Sequence, residues 1–127
     1  MNIVIVDDER DVKALFEQRF RREVRQGLLQ LHFAFSGEEA LALLSHGGIA
    51  DIVLILSDIN MPGMNGLELL KVVKEQYPRL KVYMITAYDD ADSRQRAVEY
   101  GCDDYLTKPI DFTVLRTRIG LAGAPSI

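Results

Sequence analysis

Leu54-Ile55-Leu56-Ser57-Asp58-Ile59-Asn60-Met61-Pro62-Gly63 reads as an apolar strand that runs straight into a carboxylate and then a Pro-Gly turn. A short, continuous apolar run bounded by turn residues is the pattern of a central parallel strand, because helices cover both of its faces. The turn stops the strand at Asp58 and leaves an ionisable side chain at the rim of a sheet. Two other runs end in the same manner: Ile3-Val4-Ile5-Val6 before Asp7-Asp8, and Val82-Tyr83-Met84-Ile85 before Thr86. Strand ends that deliver several oxygen atoms to one edge suit a hard cation and a phosphoryl group.

Outward from this stretch, strand candidates at 2–6, 30–35, 52–57, 81–86 and 104–107 alternate with helical patterns. Val12, Leu15, Phe16 and Phe20 recur at helical spacing, as do Ala40, Leu43 and Leu44, then Leu67, Leu70 and Val73. A thinner pattern covers 91–100, and a last helix carries Phe112, Leu115 and Ile119. This alternation predicts an α/β fold: a doubly wound, five-stranded parallel sheet with helices on both faces. Ser36, Asn65 and Asp89 are the expected helix caps, and Gly101 a left-handed helix end. The first helix reads as one long element running toward Gly27. Ligands of such sheets bind outside the carboxyl ends of the strands. Asp7, Asp8, Asp58, Thr86 and Lys108 all fall there.

With 127 residues, the chain is long enough for one domain with a real core. We assign that domain to 1–120 and read 121–127 as a flexible tail or the start of a linker. The formal net charge of −4 argues against a nucleic-acid grip, which needs a basic face. No apolar run reaches the length of a membrane span, and no secretory leader precedes the first strand. Cys102 is the single cysteine and has no partner at metal-binding spacing. A cytoplasmic protein without membrane or direct nucleic-acid contact is expected.

Asp7, Asp8 and Asp58 drawn together would repel, so the site must raise a carboxyl pKa or recruit a cation. Oxygen ligands with room for water suit Mg²⁺, and Lys108 adds a fixed positive charge. A carboxylate so placed is a nucleophile toward phosphorus and yields an aspartyl-phosphate.

These residues carry a resemblance. Asp7-Asp8, Asp58 followed by Asn60-Met61-Pro62-Gly63, Thr86-Ala87 and Tyr105-Leu106-Thr107-Lys108-Pro109 resemble, in this order and spacing, the receiver domain of bacterial response regulators. The match covers nearly the whole chain. The resemblance implies a flavodoxin-like strand order of 2-1-3-4-5 and a phosphorylation-activated switch of two-component signalling. It implies that Asp58 is the phospho-acceptor and that Asp8, Asp58 and the main-chain carbonyl of Asn60 hold Mg²⁺, with Asp7 acting through water. Lys108 and Thr86 would contact phosphoryl oxygens, and Lys108-Pro109 resembles the family's cis-proline site. Thr86 and Tyr105 would form the switch, altering the face made by the fourth helix (91–100), the fifth strand and the last helix. The implied partners are a sensor histidine kinase or phosphotransfer protein and an output domain or partner protein, with homodimerisation through the same face.

Two other functions are weighed. An aspartate-nucleophile phosphatase of haloacid dehalogenase type needs an acid two residues after the nucleophile, and Asn60 stands there. A receiver-like adaptor that never takes phosphate would not need the complete acidic set and Lys108. A calcium loop starting at Asp58 fails because Leu69 occupies its twelfth place. Asn60 and Tyr88 flank the approach to Asp58 without fixing how long a phosphoryl group lasts. Arg19, Arg21, Arg22 and Arg25 read first as a solvated face paired with Glu17 and Glu23, with a docking site as the alternative, since the resemblance implies a kinase-facing surface that includes the first helix. His32 reads as a strand residue and His46 as a loop residue.

Overall fold

The strands of the computed structural model, which describes residues 1–87 and 89–121, are β1 (Asn2–Val6), β2 (Gln30–Ala34), β3 (Ile52–Asp58), β4 (Lys81–Thr86) and β5 (Asp104–Thr107). The helices are α1 (Asp11–Arg19), α2 (Arg21–Arg25), α3 (Gly37–His46), α4 (Gly66–Gln76), α5 (Ala91–Glu99) and α6 (Phe112–Arg118). All strand pairs are parallel and the order is β2-β1-β3-β4-β5. The doubly wound sheet is therefore the one the alternation predicts.

Side chains of a strand alternate between faces, and each apolar run is split accordingly. Val4, Val6, Ile55, Val82 and Met84 join a cluster with Leu67, Leu70 and Val73 of α4. Ile3, Ile5, Leu54, Leu56, Tyr83 and Ile85 join the other, with Phe16, Phe20, Phe112 and Leu115. The phenyl rings of Phe16, Phe20 and Phe112 pack with centroids 5.3–6.0 Å apart. Each fully buried side chain of this size contributes about 1.5–3 kcal/mol over an exposed one. Both faces being covered, only the two ends of the strands are open, and the register brings their carboxyl ends level. Val6 stands opposite Ala34 and Ser57, Asp58 opposite Ile85, and Thr86 opposite Thr107.

Several boundaries differ from the sequence reading, among them the end of α3, which includes His46 rather than leaving it in a loop. The single first helix is broken at Phe20 (φ −108°, ψ 17°) into α1 and α2. The Arg19 carbonyl at this break accepts a hydrogen bond from Arg116 of α6. Asp90, not Asp89, caps α5: its carboxylate accepts from the Ser93 amide at 2.7 Å, while Asp89 is engaged by Arg94. Strand β3 extends one residue to include Asp58, and β2 ends one residue earlier at Ala34. Leu121, counted with the tail, donates its amide to the Arg116 carbonyl at 2.8 Å and packs against the core. The remainder of that tail, 122–127, and Tyr88 lie outside the described residues. Ser36 and Asn65 cap α3 and α4 as expected, and Gly101 has φ +88°. Among the described residues, no helix is long and apolar enough to cross a membrane.

Candidate functional site

Three acids meet at the carboxyl edge. Asp7 follows β1 directly, its amide bonded to the Ala34 carbonyl at 3.1 Å. Asp8 comes next and is exposed, whereas Asp7 and Asp58 are buried. Each of the three offers a carboxylate oxygen, and these oxygens lie within 4.8 Å of one another. Lys108, just beyond β5, reaches back over the edge: its Nζ donates to Asp7 Oδ2 at 2.9 Å and stands 3.6 Å from Asp58 Oδ2. The Lys108 amide is tied to the Thr86 carbonyl at 2.8 Å, and the Lys108–Pro109 peptide is cis.

The electrostatics divide the labour among the acids. Asp7 has both oxygens engaged, Oδ1 by the Glu9 amide at 2.9 Å and Oδ2 by Lys108. Asp58 is different. Burial, reinforced by the charge of Asp7, pushes its pKa up from 3.8 to about 6, against the opposing pull of Lys108 and the Asn60 and Ile59 amides. Burial pulls the Lys108 ammonium down, but its hydrogen bond to Asp7 and the charges of Asp58 and Asp7 leave it above its ordinary value. The pocket therefore holds more negative charge than its one ammonium balances. Oxygen donors of this kind, with an exposed Asp8 open to water, fit a hard divalent ion such as Mg²⁺.

The support beneath Asp58 includes a residue that the sequence reading passed over. A Cβ on Gly66 would lie 2.0 Å from the Asp58 carbonyl oxygen and 2.8 Å from Ile59 Cα. The Gly66 amide donates to the Ile59 carbonyl at 2.8 Å. The first turn of α4 is thus seated directly on the backbone that carries Asp58. The signal was present: a glycine at the start of a helix weakens it, so its use points to a close backbone approach. In the turn between, Gly63 takes φ +72°, a conformation that other residues rarely adopt.

Thr86 is fully buried at the end of β4. Tyr105, on β5, is half-buried, and its hydroxyl is buried with no hydrogen-bond partner among the described residues. The guanidinium of Arg94 lies 4.5 Å over the Tyr105 ring and is gripped by both oxygens of Asp89 at 3.1 and 2.8 Å. Nothing in the sequence signals this clasp, since Asp89 reads there as a cap.

The response regulator receiver domain model matches residues 3–120. The chain belongs to this family. It is 41% identical over 110 residues to the DNA-binding transcriptional regulator NtrC of Proteus hauseri, covering 87% of this chain and 22% of that protein. To the heme response regulator HssR of Staphylococcus epidermidis it is 36% identical over 119 residues, covering 94% of this chain and 50% of the relative. The receiver thus spans between about a fifth and a half of these curated relatives. A CheY-like receiver domain from Methanospirillum hungatei superposes with a TM-score of 0.83 at 28% identity, over 94% of this chain and 90% of the other. The chemotaxis protein CheY4 of Vibrio cholerae does so with a TM-score of 0.78 at 27% identity, over 94% and 97%. Receiver domains are regulatory phospho-acceptors and phosphorylation-dependent switches, phosphorylated by histidine kinases, that govern output domains. They bind Mg²⁺ at an acidic pocket.

Proposed function

We propose that Asp58 is the residue of this receiver that takes the phosphoryl group, from the phosphohistidine of a histidine kinase or phosphotransfer protein or from a small phosphodonor. The observation that carries the reading is the meeting of Asp7, Asp8 and Asp58 oxygens within 4.8 Å beneath the Lys108 ammonium. A carboxylate oxygen of Asp58 attacks phosphorus, and the bond from phosphorus to the donor breaks with its electron pair leaving on the donor. Asp8, Asp58 and the Asn60 carbonyl would hold Mg²⁺, with Asp7 engaged through water. Mg²⁺ supplies neutralisation of charge on the phosphoryl oxygens and the acids. Lys108 sits where it can meet one of those oxygens, since its Nζ is already 3.6 Å from Asp58 Oδ2.

The switch follows from the same edge. A dianion on Asp58 brings strong acceptors close to Thr86, and a shift of Thr86 frees space for the Tyr105 ring. The face that responds is α5–β5–α6, the counterpart of the fourth-helix, fifth-strand, fifth-helix surface, numbered higher here because the first helix is split. We assign partner recognition and homodimerisation to this face, and place the protein in the cytoplasm. Beyond slow loss of its own phosphoryl group we assign it no turnover, because Asn60, two residues after Asp58, has no acidic proton to give to a leaving group.

Incubation with acetyl phosphate and Mg²⁺, followed by intact-mass analysis, tests the assignment. One labile phosphoryl adduct on the wild type and none on Asp58→Asn is the expected result. An adduct that persists in Asp58→Asn, or release of many equivalents of phosphate per chain, would overturn it in favour of another acceptor or a phosphatase.

A further inference from the structure

Arg19, Arg21, Arg22 and Arg25 play no part in the switch chemistry. Among the described residues, their expected partners form no ion pair with them, although the charge of Arg22 acts on Glu23. Glu23 Oε2 instead accepts from Arg116 Nε at 2.9 Å, across from α6. Burial raises the Glu23 carboxyl, but the hydrogen bond and charge of Arg116 more than offset this and leave it below its ordinary value. Among the described residues, none of the four arginines has a carboxylate as an ion-pair partner.

The break at Phe20 turns this run of charge into a concavity. Arg116 lies 4.9 Å over the Phe20 ring and donates to the Arg19 carbonyl, while Arg19 lies 5.4 Å over Phe112. These contacts hold α6 against the α1–α2 junction and leave an open concavity of about 680 Å³ lined by the exposed Arg19, Arg21, Arg22 and Arg25, by Arg116 and Glu23, and by two glutamines. Five of the chain's ten arginines line it and none of its five lysines. Five guanidinium groups against one carboxylate leave an excess of four positive charges, on a chain whose net charge is −4.

We propose that this concavity binds a ligand carrying adjacent phosphoryl groups, either an inorganic oligophosphate or the phosphate chain of a nucleotide. The guanidinium fork matches phosphate oxygens in pairs, which explains arginine in preference to lysine. The volume is that of a small-molecule site, and five arginines at one junction of a chain with net charge −4 fall short of the basic face that a nucleic-acid backbone needs. An oligophosphate brings several negative charges into a small space, matching the local excess. A single carboxylate would leave most of it unmet.

Titration calorimetry with tripolyphosphate, ATP and GTP tests the proposal, on the whole chain carrying Asp58→Asn, with EDTA at about 0.1 M salt so that surface attraction is screened. Without divalent ions and without the acceptor, the acidic pocket takes no part. Saturable binding of one ligand per chain is expected, weakened about tenfold or more by Arg22→Ala with Arg25→Ala, at an unchanged melting temperature. The charge-reversed pair Arg21→Glu and Arg25→Glu should abolish it. Equal affinity for tripolyphosphate and nucleotides identifies the phosphate chain as the ligand, and tighter nucleotide binding identifies a nucleotide. No saturable binding, binding that both double variants retain, or equal displacement by a poly-glutamate peptide would overturn the proposal.

Discussion

Asp58 is buried beside Asp7, and burial with that neighbouring charge sets its titration. Its folded-state value of about 6 stands above the ordinary 3.8, so the folded chain holds this proton more tightly than the unfolded chain. The stability it contributes is full below about pH 4 and is lost as pH rises through about 6. In the metal-free protein Asp58→Asn, which removes the charge and keeps the shape, should stabilise by about 2–3 kcal/mol near pH 7.5 and by almost nothing near pH 4. Thermal melts in EDTA at the two pH values measure this. At this scale the acids and Lys108 were legible in the sequence, because apolar runs ending in charge mark strand ends whatever the packing. Gly66, Arg94 and the Asp89–Asp90 assignment were not, because a close backbone approach and the choice between adjacent carboxylates are decided by neighbours distant in the chain.

Two elements carry the proposed acceptor and its proposed readout. Helix α4 starts at a capping box in which Asn65 Oδ1 accepts from the Glu68 amide at 2.9 Å and Glu68 accepts from the Asn65 amide at 3.3 Å. That box and the bare Cα of Gly66 hold the helix against the end of β3. Gly66→Ala has no room without moving backbone, so it should destabilise by about 2–4 kcal/mol and slow phosphoryl uptake, as denaturant unfolding and the adduct assay would report. Helix α5 is held more lightly. Only Ala97 of it is buried and Val98 is 65% exposed, as its thin apolar pattern foretold. The Arg94 stack on Tyr105 is therefore a large part of what fixes it, worth about 0.5–2 kcal/mol. Arg94→Ala should shift the Tyr105 ring population several-fold with unchanged acceptance at Asp58, read by NMR of the Tyr105 ring with and without a beryllium fluoride mimic. Asp89→Ala should move it in the same direction, since Asp89 holds the guanidinium in place.

Across the whole molecule, the fold was readable because the central strands are apolar on both faces, and only a parallel sheet with helices on either side satisfies that pattern. The split first helix was hidden, because Phe20 keeps helical spacing while the Arg19 carbonyl is taken by Arg116 from the far end of the chain. The Phe16–Phe20–Phe112 cluster joins the first and last helices, so Phe112→Ala should cost about 3–5 kcal/mol and lower the denaturation midpoint. The acceptor edge lies outside that cluster, and the folded fraction should still accept phosphate. The most direct measurement of the central claim is the rate of phosphoryl uptake at Asp58, mapped by peptide, against Mg²⁺ concentration in wild type, Asp8→Asn and Lys108→Ala. Uptake that requires Mg²⁺, saturates with it, and falls by at least about tenfold in each variant while the fold is intact is the predicted result. Uptake at Asp58 that is indifferent to Mg²⁺, or unchanged by the loss of Asp8 and Lys108, would contradict it.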